Sequence, residues 1–259
     1  MKHQVITIPA APAAPEERGD HRPARRLPEP AAKLIFAALV FVLTIAGWWL
    51  VERYKDRHSP LPNAGTVAEP CALWFVGSSS MHKWTTLHDD MLPWETHNRG
   101  VDGAQLSYLV DRFASDEGAP LPRAIVLYGG ENDIAKGGSA ADALASFERL
   151  LIVKREKYGA LPVFVVSVKP SPTRWRFLPE QTRLNRGLAA LARQSRDIHY
   201  VDIVPLMLVN RRPGPFYQPD GIHLNHVGYQ RWGGAVRRAI AADLPSDVVR
   251  RCAGSGRRS

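Results

Sequence analysis

The sequence predicts an α/β fold, in which a parallel β-sheet is covered by helices on both faces, preceded by one transmembrane helix. Three observations lead to this prediction: an uncharged apolar stretch near the N-terminus, short buried-strand patterns after it, and helical periodicity between those strands. Strands that alternate with helices form parallel sheets, because each helix carries the chain back to the edge where the strands begin. With 259 residues, 45% of them hydrophobic, the chain can bury a substantial core.

The uncharged stretch is residues 34–51, LIFAALVFVLTIAGWWLV. A helix of this length spans roughly 27 Å, close to the hydrocarbon thickness of a bilayer. Trp48 and Trp49 stand at its end, where an aromatic ring favours the membrane interface. We expect an uncleaved signal anchor, because the leader is long and no A-x-A-like cleavage site follows. A cleaved signal peptide and a buried core helix are the alternatives.

Basic residues around this stretch predict its orientation. Five of them lie within residues 18–33 and three within residues 53–57. Because basic residues favour the cytoplasmic side, we expect a cytoplasmic N-terminus and a periplasmic or extracellular catalytic domain.

Proline-rich composition predicts the segments on either side of the anchor. Residues 1–33 contain six prolines and predict a disordered cytoplasmic leader. Residues 52–70, with three prolines, predict a linker. The folded domain is then expected at residues 71–243, followed by a basic C-terminal tail at residues 244–259 that is flexible after Cys252.

Four short apolar runs and a weaker, more polar segment at residues 95–99 predict the strands of the sheet, and four apolar stripes at helical spacing predict helices between them. The strands are expected at residues 72–76, 95–99, 124–128, 163–168 and 198–203. The stripes are Leu106, Leu109, Val110 and Phe113; Leu144, Phe147, Leu150 and Leu151; Leu184, Leu188 and Leu191; Trp232, Val236 and Ile240. Ser139 and Asp142 predict a capping box for the second helix, and Asn225 predicts the N-cap of the last.

The net charge of +9 is spread along the chain. The leader carries +2, residues 52–70 carry 0, the domain +4 and the tail +3. No nucleic-acid-binding motif accompanies this charge, so we expect no nucleic-acid partner.

The chain has two cysteines, Cys71 and Cys252, and neither has metal-ligand spacing. We therefore expect no bound metal. In an oxidising compartment the two could form a disulfide, and two unpaired thiols are equally compatible with the sequence.

Polar loops follow the predicted strands, at the sheet edge where ligands of parallel sheets bind. They are Gly77-Ser78-Ser79-Ser80, Gly100-Val101-Asp102-Gly103, Gly130-Glu131-Asn132-Asp133 and Asp220-Gly221-Ile222-His223. A serine on a strand-to-helix turn can present a nucleophilic oxygen, and an aspartate near a histidine can hold the imidazole in one tautomer. Taken singly, the serine turn and the glycine loops are more typical of an ordinary turn or helix cap.

In this order, and together with Trp84, the four blocks resemble those of the SGNH (GDSL-type) hydrolases over about residues 72–243. The resemblance implies a three-layer α/β/α sandwich of flavodoxin-like type. It also implies serine-dependent hydrolysis of carboxylic esters without a cofactor.

Carried over by position, the resemblance gives each site residue a role. Ser79 would be the nucleophile, His223 the base and Asp220 its acidic partner, with Ser79, Gly103 and Asn132 forming the oxyanion hole. The chain departs from the family pattern at Ser78, where the family has aspartate. The departure leaves Ser78 and Ser80 as alternative nucleophiles, although the spacing to Trp84 favours Ser79.

Basic side chains follow the fourth strand, and we expect them to form the rim of the substrate site. The rim residues are Lys169, Arg174, Trp175 and Arg176. Such a rim would favour anionic esters, such as lysophospholipids or acylated acidic glycans; solvated surface arginines are the alternative. Transfer of an acyl group to a cell-envelope glycan and a non-catalytic binding module are the rival functions.

Overall fold

The structure is a computed structural model that describes residues 28–65, 68–116 and 120–255. It divides into two compact units, Met1–Val51 and Glu52–Ser259. In chain order, the helices and strands are α1 (Glu29–Arg57), β1 (Ala72–Gly77), α2 (Ser79–His82), α3 (Leu87–Met91), β2 (Glu95–Gly100), α4 (Leu106–Ala114), β3 (Ala124–Tyr128), α5 (Glu131–Ala135), α6 (Ala140–Tyr158), β4 (Val163–Val166), α7 (Leu178–Gln194), β5 (Ile198–Val201), β6 (Leu208–Val209), β7 (Arg212–Pro213), α8 (His226–Asp243) and α9 (Ser246–Ser255).

The described part of the first unit is helical from Glu29 onward and belongs to α1, which is long and apolar enough to cross a membrane by length and composition. Its most apolar window has a mean hydropathy of 2.5 and is entirely exposed. The helix extends beyond the predicted residues 34–51 at both ends. Pro30 is tolerated in the first turn because N–H groups there have no helical acceptor. The predicted disorder of the leader concerns residues 1–27, which lie outside the described residues.

The prediction of a linker over residues 52–70 was wrong for its first half. Residues 52–57 are helical, and the next residues pack against the domain. Arg112 Nε donates to the carbonyl of Ser59 at 3.1 Å, and Arg99 Nη2 donates to that of Leu61 at 2.8 Å. Leu61 is buried. The prolines predicted a flexible connection here, because a proline-rich segment cannot form a helix that satisfies its own carbonyl groups. Arginine side chains of the domain donate to these carbonyl groups instead.

The five predicted strands form one sheet in the order β2-β1-β3-β4-β5, and every neighbouring pair is parallel. The four predicted helices are α4, α6, α7 and α8. Ser139 and Asp142 form the predicted capping box, and Asn225 Oδ1 accepts the N–H of Gly228 at 3.0 Å as the predicted N-cap. From β1, the next strand in the chain, β2, lies on one side and β3 lies on the other, so the strand order reverses at this point. The carboxyl ends of β1 and β3 therefore flank the crevice where such sheets bind ligands.

Side chains alternate between the two faces of the sheet and build two buried clusters, which confirms the three-layer α/β/α architecture. On one face, Phe75 and Val126 pack with Trp232 of α8 and with α2 and α3. On the other, Trp74 and Ile125 pack with α4, α6 and α7. Because both faces are covered, the inner strands β1, β3 and β4 are hydrophobic on consecutive residues, whereas the edge strand β2 is polar.

The basic tail predicted at residues 244–259 is helical over residues 246–255, so the flexible chain expected after Cys252 does not begin there. Residues 246–255 form helix α9, whose Val248 and Val249 pack against the core. Cys252 in α9 is bonded to Cys71, directly before β1, across a sequence separation of 181 residues. The arginines that follow Val249 made the apolar face of this helix hard to recognise in the sequence.

Candidate active site

The turn between β1 and α2 presents Ser79 at the carboxyl end of the sheet. Ser79 is the first residue of α2. The Tyr229 hydroxyl stabilises the turn by donating to the carbonyl of Ser80 at 3.0 Å. Trp84 stacks on the Tyr229 ring with centroids 5.1 Å apart, and its Nε1 donates to Asp90 at 2.7 Å. Trp84 therefore packs beneath the serine turn rather than contacting the Ser79 hydroxyl.

Ser79, His223 and Asp220 lie in one hydrogen-bonded chain, although 141 or more residues separate Ser79 from the other two. The Ser79 Oγ is 2.9 Å from His223 Nε2. His223 Nδ1 is 2.6 Å from Asp220 Oδ2. The Ser80 Oγ is buried and has no hydrogen-bond partner among the described residues, so it is Ser79 whose hydroxyl faces the imidazole.

The surroundings of Asp220 favour its ionised form. Burial by itself would raise the pKa of Asp220, but hydrogen bonds from the His223 ring and from the N–H groups of Ile222 and His223 lower it to about 2. An ionised carboxylate can only accept hydrogen bonds, so His223 Nδ1 carries a proton. In the neutral ring, Nε2 is then left as the acceptor that faces Ser79 Oγ.

Asn132 and the loop that carries Gly103 meet at the carboxyl edge of the sheet, the edge that also carries Ser79. Asn132 is the second residue of α5, which follows Gly130, whose φ of +92° is one that glycine adopts without strain. The Asn132 Nδ2 donates to the carbonyl of Ala104 at 2.9 Å, which ties the α5 turn to the Gly103 loop. Gly103 is exposed, and a side chain there would meet nothing within 4 Å. One N–H of the Asn132 amide remains for a further acceptor.

The predicted basic rim is only partly at the site. Lys169 does not lie on the rim: its side chain is fully buried, with Nζ 2.8 Å from Glu131 Oε2. Arg174 does reach the site, since its Nη2 donates to Asn132 Oδ1 at 2.9 Å. Trp175 and Arg176 make other contacts, Trp175 with the guanidinium of Arg212 at 5.2 Å and Arg176 with the Phe177 ring at 4.7 Å.

Sequence reasoning missed Glu131 as part of the site. Its carboxylate is buried between Tyr128, whose hydroxyl donates to Oε2 at 2.6 Å, and Lys169. The available signal was a glutamate just after one strand and a lysine just after the next, which neighbouring strands bring to the same edge. The adjacent Asp133, part of the same block, caps α4 by accepting the N–H of Leu106 at 3.1 Å.

Among the described residues, no group of three or more histidine, cysteine, aspartate or glutamate side chains is arranged to hold a metal ion. The site combines a serine hydroxyl, an imidazole paired with a carboxylate, and hydrogen-bond donors. Such an arrangement is suited to acyl transfer through a serine.

A family model described as the GDSL-like lipase/acylhydrolase family matches residues 65–231, which include all four sequence blocks. The chain belongs to this family. No curated protein matches the sequence. As a member of the GDSL-like family, the protein is an acyl hydrolase of the serine esterase type.

Solved structures share the fold of this GDSL-like hydrolase. A Streptococcus pneumonia protein, described provisionally as a platelet activating factor, superposes with a TM-score of 0.62 at 21% identity, over 77% of this chain and 98% of its own. A GDSL-like lipase from Bacteroides thetaiotaomicron superposes with a TM-score of 0.57 at 22% identity, over 74% of this chain and 98% of its own. A candidate acylhydrolase from Bacteroides fragilis superposes with a TM-score of 0.59 at 22% identity, over 75% of this chain and 97% of its own. At these identities the likeness concerns the fold.

Proposed function

We propose that Ser79, His223 and Asp220 form the catalytic triad of a carboxylic ester hydrolase. The observation that carries this proposal is the hydrogen-bonded chain from Ser79 Oγ through the imidazole to Asp220, with distances of 2.9 and 2.6 Å. Ser79 Oγ attacks the ester carbonyl carbon while its proton passes to His223 Nε2. Asp220 stabilises the resulting imidazolium.

The remaining steps use the same groups. The tetrahedral oxyanion accepts hydrogen bonds from the N–H groups of Ser79 and Gly103 and from the Asn132 amide. Collapse breaks the bond to the alcohol, which takes the proton from Nε2 and leaves an acyl group on Ser79. Water then gives a proton to His223 and its oxygen to the acyl carbon, which releases the carboxylic acid and restores the Ser79 hydroxyl.

Covalent labelling with a fluorophosphonate probe tests this proposal. We expect labelling of wild-type protein at Ser79, and Ser79→Ala should abolish it and lower turnover of p-nitrophenyl acetate by roughly 10⁴-fold or more. Ser80→Ala is the matched control, because the Ser80 hydroxyl makes no hydrogen bond among the described residues. Labelling that persists in Ser79→Ala would reassign the nucleophile, and no labelling of the wild type would favour a binding module. Product analysis with a glycan acceptor separates hydrolysis from acyl transfer.

We propose that the substrates are anionic esters, such as lysophospholipids or acylated acidic glycans. A cavity of about 280 Å³ adjoins the proposed oxyanion loop and includes Gly103 in its wall. Its lining carries three cationic side chains, Arg53, Arg57 and Lys136, and the carboxylates of Asp56 and Asp102. With their ion partners Asp111, Arg112 and Lys83 included, five cationic groups stand against three carboxylates. This excess of positive charge attracts anions. Anionic esters should be hydrolysed faster than neutral ones, with an advantage that shrinks when salt is raised from about 0.05 to 0.5 M; equal rates at both salt concentrations would contradict the proposal.

We propose that the catalytic domain acts on the outer side of a membrane, with residues 34–51 as the anchor. The excess of basic residues before the anchor and the bond between Cys71 and Cys252 support this orientation, because disulfides persist in oxidising compartments. Spheroplasts, from which any outer membrane has been removed, should lose the domain to a membrane-impermeant protease while cytoplasmic proteins survive. Protection of the domain until the membrane is lysed would reverse the orientation.

A further inference from the structure

A cluster of charged groups lies directly behind Asn132, and the proposed mechanism does not use it. Glu131 and Lys169 are both buried, with 2% and 0% of their side chains exposed. The charges of this pair cancel. Burial lowers the pKa of Lys169, while the negative charges of Glu131 and Asp220 oppose that shift, so the cluster lies within electrostatic reach of the Ser79 site.

Arg174 adds one more positive charge to this cluster and links it to Asn132. Its Nη1 is 3.4 Å from Glu131 Oε1, and its Nη2 donates to Asn132 Oδ1 at 2.9 Å. Its side chain is 17% exposed, so water screens this charge only in part. The Glu131 carboxylate therefore holds Lys169 through one oxygen and faces Arg174 with the other.

The contacts of the Asn132 amide define which way it faces. Its oxygen accepts from Arg174, and its nitrogen donates to the carbonyl of Ala104. A flipped amide would set its N–H groups against the guanidinium and its oxygen against that carbonyl, so both contacts would become repulsive. A hydrogen bond accepted by the amide oxygen also polarises the amide and strengthens its N–H groups as donors.

We propose that Arg174 is a positioning residue for ester hydrolysis: its guanidinium, held by the buried Glu131 carboxylate, orients and polarises the Asn132 amide as an oxyanion donor. This inference rests on the proposed function. Arg174 acts on the transition state through Asn132, so its contribution exists only while the Asn132 side chain is present.

A double-mutant cycle with the full-length protein in detergent tests this dependence. The substrate is p-nitrophenyl acetate, which is neutral and therefore excludes Coulomb attraction between Arg174 and the substrate. Arg174→Leu should lower kcat about ten- to a hundredfold with little change in KM, because a hydrogen bond from a charged group is lost. Asn132→Ala should lower kcat about a hundredfold or more.

The double variant distinguishes positioning from an independent effect. In the Asn132→Ala background, Arg174→Leu should lower kcat by no more than about threefold. Losses that multiply would overturn the proposal, and so would a change confined to KM. Arg174→Lys keeps the charge and should recover part of the loss, and it replaces Arg174→Leu in the cycle if the leucine variant does not fold.

Two further measurements complete the test. Arg238→Leu removes an exposed arginine of α8 and should leave kcat unchanged, and the unfolding temperature of each variant reports whether it is folded. If wild-type protein labelled at Ser79 hydrolyses the ester but the cycle is additive, the inference about Arg174 fails alone. If the wild type neither reacts with the probe nor hydrolyses esters, the proposed function fails and the role of Arg174 fails with it.

Discussion

Replacing Gly77 with alanine tests how closely the strand before Ser79 must approach its neighbour. A Cβ at Gly77 would lie 2.3 Å from the carbonyl oxygen of Tyr128 and 2.8 Å from Met81 Cγ. The first contact is to backbone, so β1 and β3 would have to separate by about 1 Å to reach an ordinary van der Waals distance. The same carbonyl accepts the N–H of Ser78 at 3.3 Å, and that bond would weaken.

The magnitudes follow from these contacts. Overpacking costs about 1 to 3 kcal/mol and a weakened buried hydrogen bond about 1 kcal/mol more, so the free energy of unfolding should fall by about 2 to 4 kcal/mol. For a domain of this size, that lowers the unfolding temperature by roughly 5 to 15 °C. A 1 Å displacement of Ser79 should also lower kcat by about a hundredfold.

Calorimetry and p-nitrophenyl acetate turnover measure the two effects on Gly77→Ala. Gly234→Ala in α8 is the matched control, because its Cβ would meet nothing closer than 3.4 Å. That control should be neutral or stabilising by up to about 1 kcal/mol and should retain activity. Gly77→Ala with wild-type stability and turnover would refute the close approach of β1 and β3 as the reason for glycine here.

Three further predictions concern stability. Asp220 ionises more readily in the folded state, with a pKa of about 2 against the ordinary 3.8, so its stabilising contribution is present above pH 4 and is lost as the pH falls towards 2. The difference in unfolding temperature between the wild type and Asp220→Asn should therefore shrink between pH 5 and pH 3, and a constant difference would contradict this. Cys252→Ser opens the bond to Cys71 and should lower the free energy of unfolding by about 4 to 5 kcal/mol, given the long loop that the bond closes; denaturant titration should show the same loss for reduced wild type. Arg99→Leu leaves the buried Asp116 carboxylate without its ion-pair partner and should cost about 3 to 5 kcal/mol, whereas adding Asp116→Leu should restore part of this loss, as measured by the same titration.

The local elements of this protein could be predicted because their signals lie close together in the chain. The stripe of Leu106, Leu109 and Phe113 predicts α4, since residues three and four apart share one helix face. The capping box of Ser139 and Asp142 predicts the start of α6 in the same way. Each of these decisions depends on a few neighbouring residues and on backbone hydrogen bonds that every sequence must satisfy.

The ends of the domain were harder to predict, because their order depends on partners that are remote in the sequence. The carbonyl of Leu61 is satisfied by Arg99, and α9 is fixed by the bond between Cys252 and Cys71. Proline and arginine content made both segments resemble flexible chain. The composition of a segment shows that it cannot form stable structure alone. It does not show which hydrogen bonds or covalent bonds a remote segment provides.

By itself, the sequence determined the alternation of strands and helices, the apolar helix ahead of the domain, and the residue types that a serine esterase needs. The tertiary structure decided which serine faces His223, and it placed Lys169 in the interior rather than at the rim. Only the structure joined Arg174 to Asn132 and Glu131. Hydrogen bonds and ion pairs act over a few ångströms, so pairs separated by tens to more than a hundred residues form only after the sheet has fixed the order of its strands.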